Sequence, residues 1–179
     1  MRNNTETAVF GGGCFWCTEA IFSRLKGVLS VTSGYAGGDL DNPSYYNIVD
    51  KETGHAEVIK IEFDPLLISY GTLLDVFFSS HNPTSLNRQD NDIGPMYRSI
   101  ILYMNKNQRN KALSYIKKVN DSKIFDRPVV TEVRPLDKFY PAEEHHQKFY
   151  ERNKESPYCE YIISPKLQKL RQKFSHLLK

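Results

Sequence analysis

Chemistry in this chain starts with sulfur. Cys14 stands in the run Gly11-Gly12-Gly13-Cys14-Phe15-Trp16-Cys17, and the apolar triplet Ala8-Val9-Phe10 before it reads as the end of a strand. Beyond it Ala20, Ile21 and Leu25 fit a helical repeat closed by Gly27, so the spacing puts Cys14 at a helix N-terminus. Unpaired backbone N–H groups and the positive end of the helix dipole favour thiolate over thiol there, which makes Cys14 a candidate nucleophile. The glycines would let a ligand approach the backbone closely, with Phe15 and Trp16 as an apolar wall beside the sulfur. A buried, inert thiol is the competing reading, because free cysteines are among the most buried residue types. Cys17 lies one turn further along the same side, where it is either a second redox thiol or a small core residue.

A thiolate nucleophile needs proton donors opposite it, and three other stretches offer them. In the run from Gly54 to Phe63 alternation puts His55, Glu57, Ile59, Ile61 and Phe63 on one strand face, and Ala56, Val58, Lys60 and Glu62 on the other. On the more apolar face the Glu57 carboxyl would keep its proton toward neutrality; at the strand's solvent end it would stay ionised, and alternation leaves both open. Asn42-Pro43-Ser44 is turn chemistry, with Ser44 capping a short helix over residues 45–49 and Tyr45 on its corner, facing either a cleft or water. The polar loop from Thr84 to Met96 carries Asp92 and leads into Tyr97-Arg98; loops of this length inside a domain are usually functional. Cys159, in Ser156-Pro157-Tyr158-Cys159, is expected on irregular backbone because of the proline.

The elements that must position these groups follow from periodicity. Residues 28–36 read as extended, and Ser69 caps an amphipathic helix carrying Tyr70, Leu73, Leu74, Phe77 and Phe78. Residues 99–104 are apolar on both faces and suit a central strand. A helix with Ala112, Leu113, Ile116 and Val119, a strand over residues 128–133, a helix from Pro141 through His145, His146 and Phe149, and a last helix from Ser164-Pro165 complete the series. The alternation implies an α+β two-layer sandwich with a mixed, partly antiparallel sheet and flanking helices. At 179 residues with no dividing low-complexity stretch, positions 1–179 read as one domain, with 156–179 as a C-terminal segment carrying Cys159 and a packed helix. A net charge of +3 from interspersed signs gives no basic block, so nucleic acid is not implied. The polar stretch Arg2–Thr7 and the lack of a long apolar run predict neither signal peptide nor membrane span. An odd total of three cysteines suits reactive thiols in the cytoplasm better than a secreted disulfide scaffold.

Taken in order, GGGCFWCTEA, GYAGG, NPSY, TGHAEV and NDIGPMYRS, followed by AEEHHQKFY and PYC, resemble the peptide methionine sulfoxide reductase A family over most of the chain. The resemblance implies a ferredoxin-like core and reduction of the S epimer of methionine sulfoxide, free and in proteins, as repair of oxidative damage. It implies that Cys14 attacks the sulfoxide sulfur while Phe15 and Trp16 enclose the S-methyl group. Glu57 would protonate the sulfoxide oxygen, Tyr45 and Tyr97 would hydrogen-bond it, and Asp92 would organise the site through water. The resulting sulfenic acid would condense with Cys159 or Cys17, the former slightly ahead, and thioredoxin or a dithiol would reduce the disulfide; no other cofactor and no metal is implied. A monomer is expected. Cys17, Ile93 and Met96 depart from the glycine, histidine and glutamine frequent in relatives. Three rivals share some of these residues: a thioredoxin-like dithiol oxidoreductase, a zinc module using Cys14, Cys17 and Cys159 with His145 or His146, and a Cys-His hydrolase using His55.

Overall fold

The computed structural model describes residues 4–50 and 52–179, so Arg2 and Asn3 of the polar N-terminal stretch lie outside it. In chain order the elements are β1 (Glu6–Gly12), α1 (Phe15–Phe22), β2 (Val28–Ala36), α2 (Tyr45–Asp50), β3 (Ala56–Phe63), α3 (Tyr70–Ser80), β4 (Arg88–Gln89) and β5 (Asp92–Ile93). They continue with β6 (Ser99–Tyr103), α4 (Lys106–Ser122), β7 (Glu132–Pro135), β8 (Phe139–Pro141), α5 (Phe149–Arg152) and α6 (Ser164–Phe174). The large sheet runs β7-β6-β1-β3-β2-β8. Its inner strands β6-β1-β3-β2 are antiparallel throughout, and with α1 and α3 they form the β-α-β-β-α-β order of a ferredoxin-like core. At the edges β7 adds parallel to β6 and β8 antiparallel to β2, which makes the sheet mixed.

Strand alternation sorts the core into two clusters as the sequence requires. Ile59, Ile61 and Phe63 of β3 join Phe10 and Ile101 beneath α1 and α3, while Val58 joins Val9, Ile100 and Leu102 on the opposite face. Phe10 centres the first cluster, its ring 4.9 Å from Phe77 and 5.9 Å from Phe22. β6 is apolar on both faces because both are covered and because it lies between β1 and β7. Ser69 caps α3 as expected, its hydroxyl accepting from the Thr72 N–H at 3.0 Å. Among the described residues no helix is long and apolar enough to cross a membrane.

Four boundaries differ from those expected of the sequence. α1 stops at Phe22, and residues 23–27 form a turn in which Gly27 takes φ +86° to redirect the chain into β2. The strand expected over residues 128–133 starts at Glu132, where the parallel pairing with Ile100 begins. Pro141 closes β8, paired with Gly34, instead of opening a helix. The chain then makes a 3₁₀ turn over Glu144–His146 before α5, and between the two Lys148 takes the left-handed region (φ 52°) so that its N–H reaches the Glu19 carboxylate at 2.8 Å. Finally, Cys159 is not on irregular backbone. Ser156 caps a helical segment through its hydroxyl, which accepts from the Cys159 N–H, and a π-helical turn over Cys159–Ile163 runs directly into α6. Pro157 sits in the first turn of that segment, where a missing N–H costs nothing.

The pairing of β2 with β8 gives a stability prediction. A Cβ on Gly34 would lie against the Phe139 ring and 2.5 Å from the Tyr140 carbonyl oxygen. Gly34→Ala should therefore lift β8 off the sheet edge and cost about 1–3 kcal/mol by overpacking. A thermal melt should fall by about 2–4 °C per kcal/mol.

Candidate active site

Four segments converge on the start of α1. Gly13 takes φ +97°, which turns β1 into the helix and leaves Cys14 as its N-cap residue. The three glycines are buried, and each admits a neighbouring part of the protein instead of a ligand. A Cβ would meet Ile100 and the Glu57 carbonyl at Gly11, Phe77 and His81 at Gly12, and Gln89 at Gly13. Gln89 is itself pinned by two hydrogen bonds with the Asn82 backbone, which docks the β4–β5 hairpin, and with it Asp92, against this corner.

Glu57 sits directly beneath the helix start. It is 2% exposed on the apolar face of β3, and its Oε2 accepts the Phe15 N–H at 3.0 Å. Burial is the leading cause that pushes its carboxyl up to about 8, with the Phe15 hydrogen bond opposing, so near neutrality much of it carries a proton. Of the two alternatives left by strand alternation, the buried one holds.

The same contact alters the expectation for Cys14. The carboxyl takes the first-turn N–H, and the Cys14 sulfur makes no capping hydrogen bond. Cys14 and Cys17 instead act on each other's acidity as close neighbours, and the Cys17 sulfur lies 3.5 Å from the Tyr158 hydroxyl oxygen. The neighbouring Cys14 thiol is the main cause lowering Cys17 to about 7, assisted by the positive charge of Lys166 and the Tyr158 hydroxyl. The neighbouring Cys17 thiol, burial and the Glu57 charge hold the Cys14 thiol well above the usual thiol range. The dithiol therefore behaves as one acid: its first proton leaves near neutrality with the charge on the Cys17 side, and the second is strongly retained.

The phenols surround this pair. The Tyr45 N–H donates to Glu143 Oε1 at 3.1 Å, and its ring lies 5.0 Å from that of His146. Tyr97 ends a 3₁₀ turn over Pro95–Tyr97 that Arg98 clamps, donating to the Pro95 and Gly54 carbonyls and pairing with Glu132 at 3.1 Å. Burial first, then the charges of Glu57, Asp92 and Cys14, keep both hydroxyls protonated far above neutrality. Burial likewise raises Asp92, while the Tyr158 hydroxyl and Lys166 pull it back.

Trp16 is half-buried, stacked on Phe149 at 3.6 Å and 6°, with its indole N–H donating to His146 Nδ1 at 3.2 Å. Phe15 is 1% exposed and packed between Tyr35 and His146, so it forms a floor rather than an open wall. Because His146 accepts at Nδ1, the proton of the neutral ring is at Nε2, 3.3 Å from Glu143 Oε2 without hydrogen-bond alignment; burial and His145 lower its basicity. Sequence reasoning gives Glu143 and Tyr158 no role at the site, and His146 only that of a rival zinc ligand. Their signal is their place in the AEEHHQKFY and PYC motifs that carry the family resemblance, and burial of polar groups is not visible in such runs.

Two of the rival readings lack the geometry they require. Among the described residues, the donor atoms close enough to share a metal ion are those of Glu143, His145 and His146, so the three thiols are not gathered for zinc. His55 accepts the Gly38 N–H at Nδ1 and donates from Nε2 to the Leu40 carbonyl, both ring nitrogens being spent on loop structure.

The family described as peptide methionine sulfoxide reductase matches residues 6–178. A peptide methionine sulfoxide reductase MsrA of Chromobacterium violaceum is 51% identical over 173 residues, covering 97% of this chain and 98% of its own. The chain belongs to the peptide methionine sulfoxide reductase A family. Solved structures agree with this reductase fold. Reduced Mxr1 of Saccharomyces cerevisiae superposes with a TM-score of 0.80 at 27% identity, covering 89% of this chain and 91% of its own. Mxr1 in complex with Trx2 gives 0.57 at 21% identity over 83% and 87%, a likeness of fold. The α+β sandwich and the ferredoxin-like core expected of a methionine sulfoxide reductase are thus both present.

Proposed function

We propose that residues 1–179 act as one catalytic domain in which Cys14 reduces the sulfur of methionine sulfoxide and Glu57 supplies the proton to its oxygen. The activity, that of a peptide-methionine (S)-S-oxide reductase, follows from family membership; the assignment of roles rests on one observation. A carboxyl buried to 2% and titrating near 8 is fixed at the N-terminus of the helix that begins after Cys14. A sulfoxide oxygen leaves only when protonated, so the reaction wants an acid on one side and a sulfur nucleophile on the other.

The Cys14 proton passes to the Cys17 thiolate as Cys14 Sγ attacks. Glu57 protonates the oxygen, with Tyr45 and Tyr97 donating hydrogen bonds to it and Asp92 ordering water beside them. Trp16, over the Phe15 floor, meets the methyl group. The oxygen ends on Cys14 as a sulfenic acid and methionine departs. Cys17 is then the better-placed resolving thiol, since it stands one turn from Cys14, its N–H donating to the Cys14 carbonyl at 3.1 Å, whereas Cys159 is fully buried in the π-helical turn. The Cys14–Cys17 disulfide would be returned to the dithiol by thioredoxin or a small dithiol, with no further cofactor and no metal, in a monomer of the cytoplasm.

The test supplies S and R epimers of a blocked methionine sulfoxide with excess dithiothreitol and follows methionine. Turnover of the S epimer alone is expected. Equal rates on both epimers would remove the assignment of Glu57, Tyr45 and Tyr97 as an ordered cradle for one oxygen position.

A further inference from the structure

In the resolving step Cys17 needs a proton acceptor beside its own sulfur, and the hydrogen bond of Glu57 goes to the Phe15 N–H while that of the Cys17 sulfur goes to a phenol. On the other side of the dithiol stands Tyr158. Its hydroxyl oxygen is 3.5 Å from Cys17 Sγ and 3.4 Å from Asp92 Oδ2, with Asp92 as acceptor. We propose that the Tyr158 hydroxyl is the proton relay of disulfide formation, passing the Cys17 proton to the Asp92 carboxylate as Cys17 attacks. The proposal rests on the reading that Cys17 resolves the sulfenic acid.

A phenol has one proton and two lone pairs, so it can donate to Asp92 and accept from the Cys17 S–H at once. One concerted hop along that line deprotonates Cys17 without forming a free phenolate. A phenolate would be costly here: burial and the neighbouring sulfur charges raise Tyr158 far above its usual range. The ring is fixed for this work, edge-on to Trp16 at 5.5 Å and 80°, and Trp16 is in turn stacked on Phe149. The charged groups around the line come from four elements. They are Cys14 and Cys17 at α1, Glu57 on β3, Asp92 on β5, and Lys166 in the first turn of α6, which pairs at 3.5 Å with Asp90 of the hairpin. Lys166 bears on both Cys17 and Asp92, favouring the thiolate and the carboxylate that the relay must produce and use.

The step balances within the site. Cys17 Sγ attacks Cys14 Sγ, the S–S bond forms and the S–O bond breaks. The proton that Cys17 gave through Tyr158 to Asp92 then joins the departing hydroxide as water. Two electrons pass from the Cys17 sulfur to the sulfenic sulfur, leaving Asp92 as it began.

The experiment is a single turnover of the full chain with the S epimer. Methionine release and disulfide formation are followed separately, and the sulfenic acid is trapped with a 1,3-diketone. In Tyr158→Phe, which removes only the hydroxyl, sulfenic acid decay at pH 6.5 should slow relative to methionine release by about 10²-fold, the lower end of what a positioned proton acceptor contributes. Asp92→Asn should show the same slowing, and the double variant should be no slower than either single one. The defect should shrink at pH 9, where solvent hydroxide removes the Cys17 proton; a merely structural loss would persist. Decay in Tyr158→Phe as fast as in the wild type, or a defect independent of pH, overturns the relay. Cys17→Ser run in parallel tests the underlying reading: rapid disulfide formation there assigns resolution to Cys159, whatever Tyr158→Phe does.

Discussion

Cys14→Ser should produce no methionine, even in a single turnover with stoichiometric enzyme, while Cys17→Ser should still release up to one equivalent. The contrast comes from what each sulfur is asked to do. Cys14 must bond to the sulfoxide sulfur and afterwards hold the oxygen, and a serine hydroxyl can do neither, since it does not ionise near neutrality and forms no sulfenic acid. Cys17 is needed to accept the Cys14 proton and then to close the disulfide. Without it, the first step slows because no thiolate lies beside Cys14, yet water or Glu57 in its ionised form can still take the proton. The remaining serine is close in size to the 3%-exposed thiol it replaces, so the fold is retained. Counting methionine per enzyme in a rapid-quench experiment separates the cases. A full equivalent from Cys14→Ser would transfer the nucleophile's role to Cys17, whose lower pKa makes it the obvious substitute.

That ambiguity marks where sequence reasoning ends. The ferredoxin-like order is legible because each inner strand announces its faces: alternation in β3 sends Ile59 and Ile61 under α1 and α3, and it carries Glu57 to the same side. Cys14 is legible as a helix start because three glycines and an apolar repeat flank it. The charge state is not. It depends on the neighbouring Cys17, on burial and on Glu57, which is brought beneath the helix start by its contact with the Phe15 N–H across 42 positions, and no local pattern encodes that contact. The stretch from Pro141 to Cys159 defeats local reading for a related reason. Its helical propensity is interrupted by tertiary demands, Pro141 by pairing with Gly34 and Lys148 by the buried Glu19 carboxylate. Those demands are also what bring His146 and Tyr158 to the site. Tertiary hydrogen bonds override propensity most where the chain is built around a polar cluster.

Glu57→Gln should slow the reductive step by about 10²–10⁴-fold at pH 6.5, the span expected for loss of a positioned general acid. The substitution is close to isosteric, and its amide oxygen can still accept the Phe15 N–H, so α1 keeps its start and the measurement reads the proton alone. The pH dependence carries more information than the magnitude. In the free wild-type enzyme kcat/KM should rise as the dithiol loses its first proton near 7, then fall as Glu57 ionises near 8, giving a narrow bell. Glutamine cannot ionise, so the variant should keep the rising limb and lose the falling one, and the difference between the two enzymes should narrow at high pH. Stability should move the opposite way to ordinary carboxylates. With its folded pKa raised from about 4.5 to about 8, Glu57 contributes most below the unfolded value, and that contribution is lost as pH climbs through 8. The glutamine variant should therefore show a smaller loss of melting temperature between pH 5 and pH 8 than the wild type, a result that a surface-exposed, ionised Glu57 would not produce.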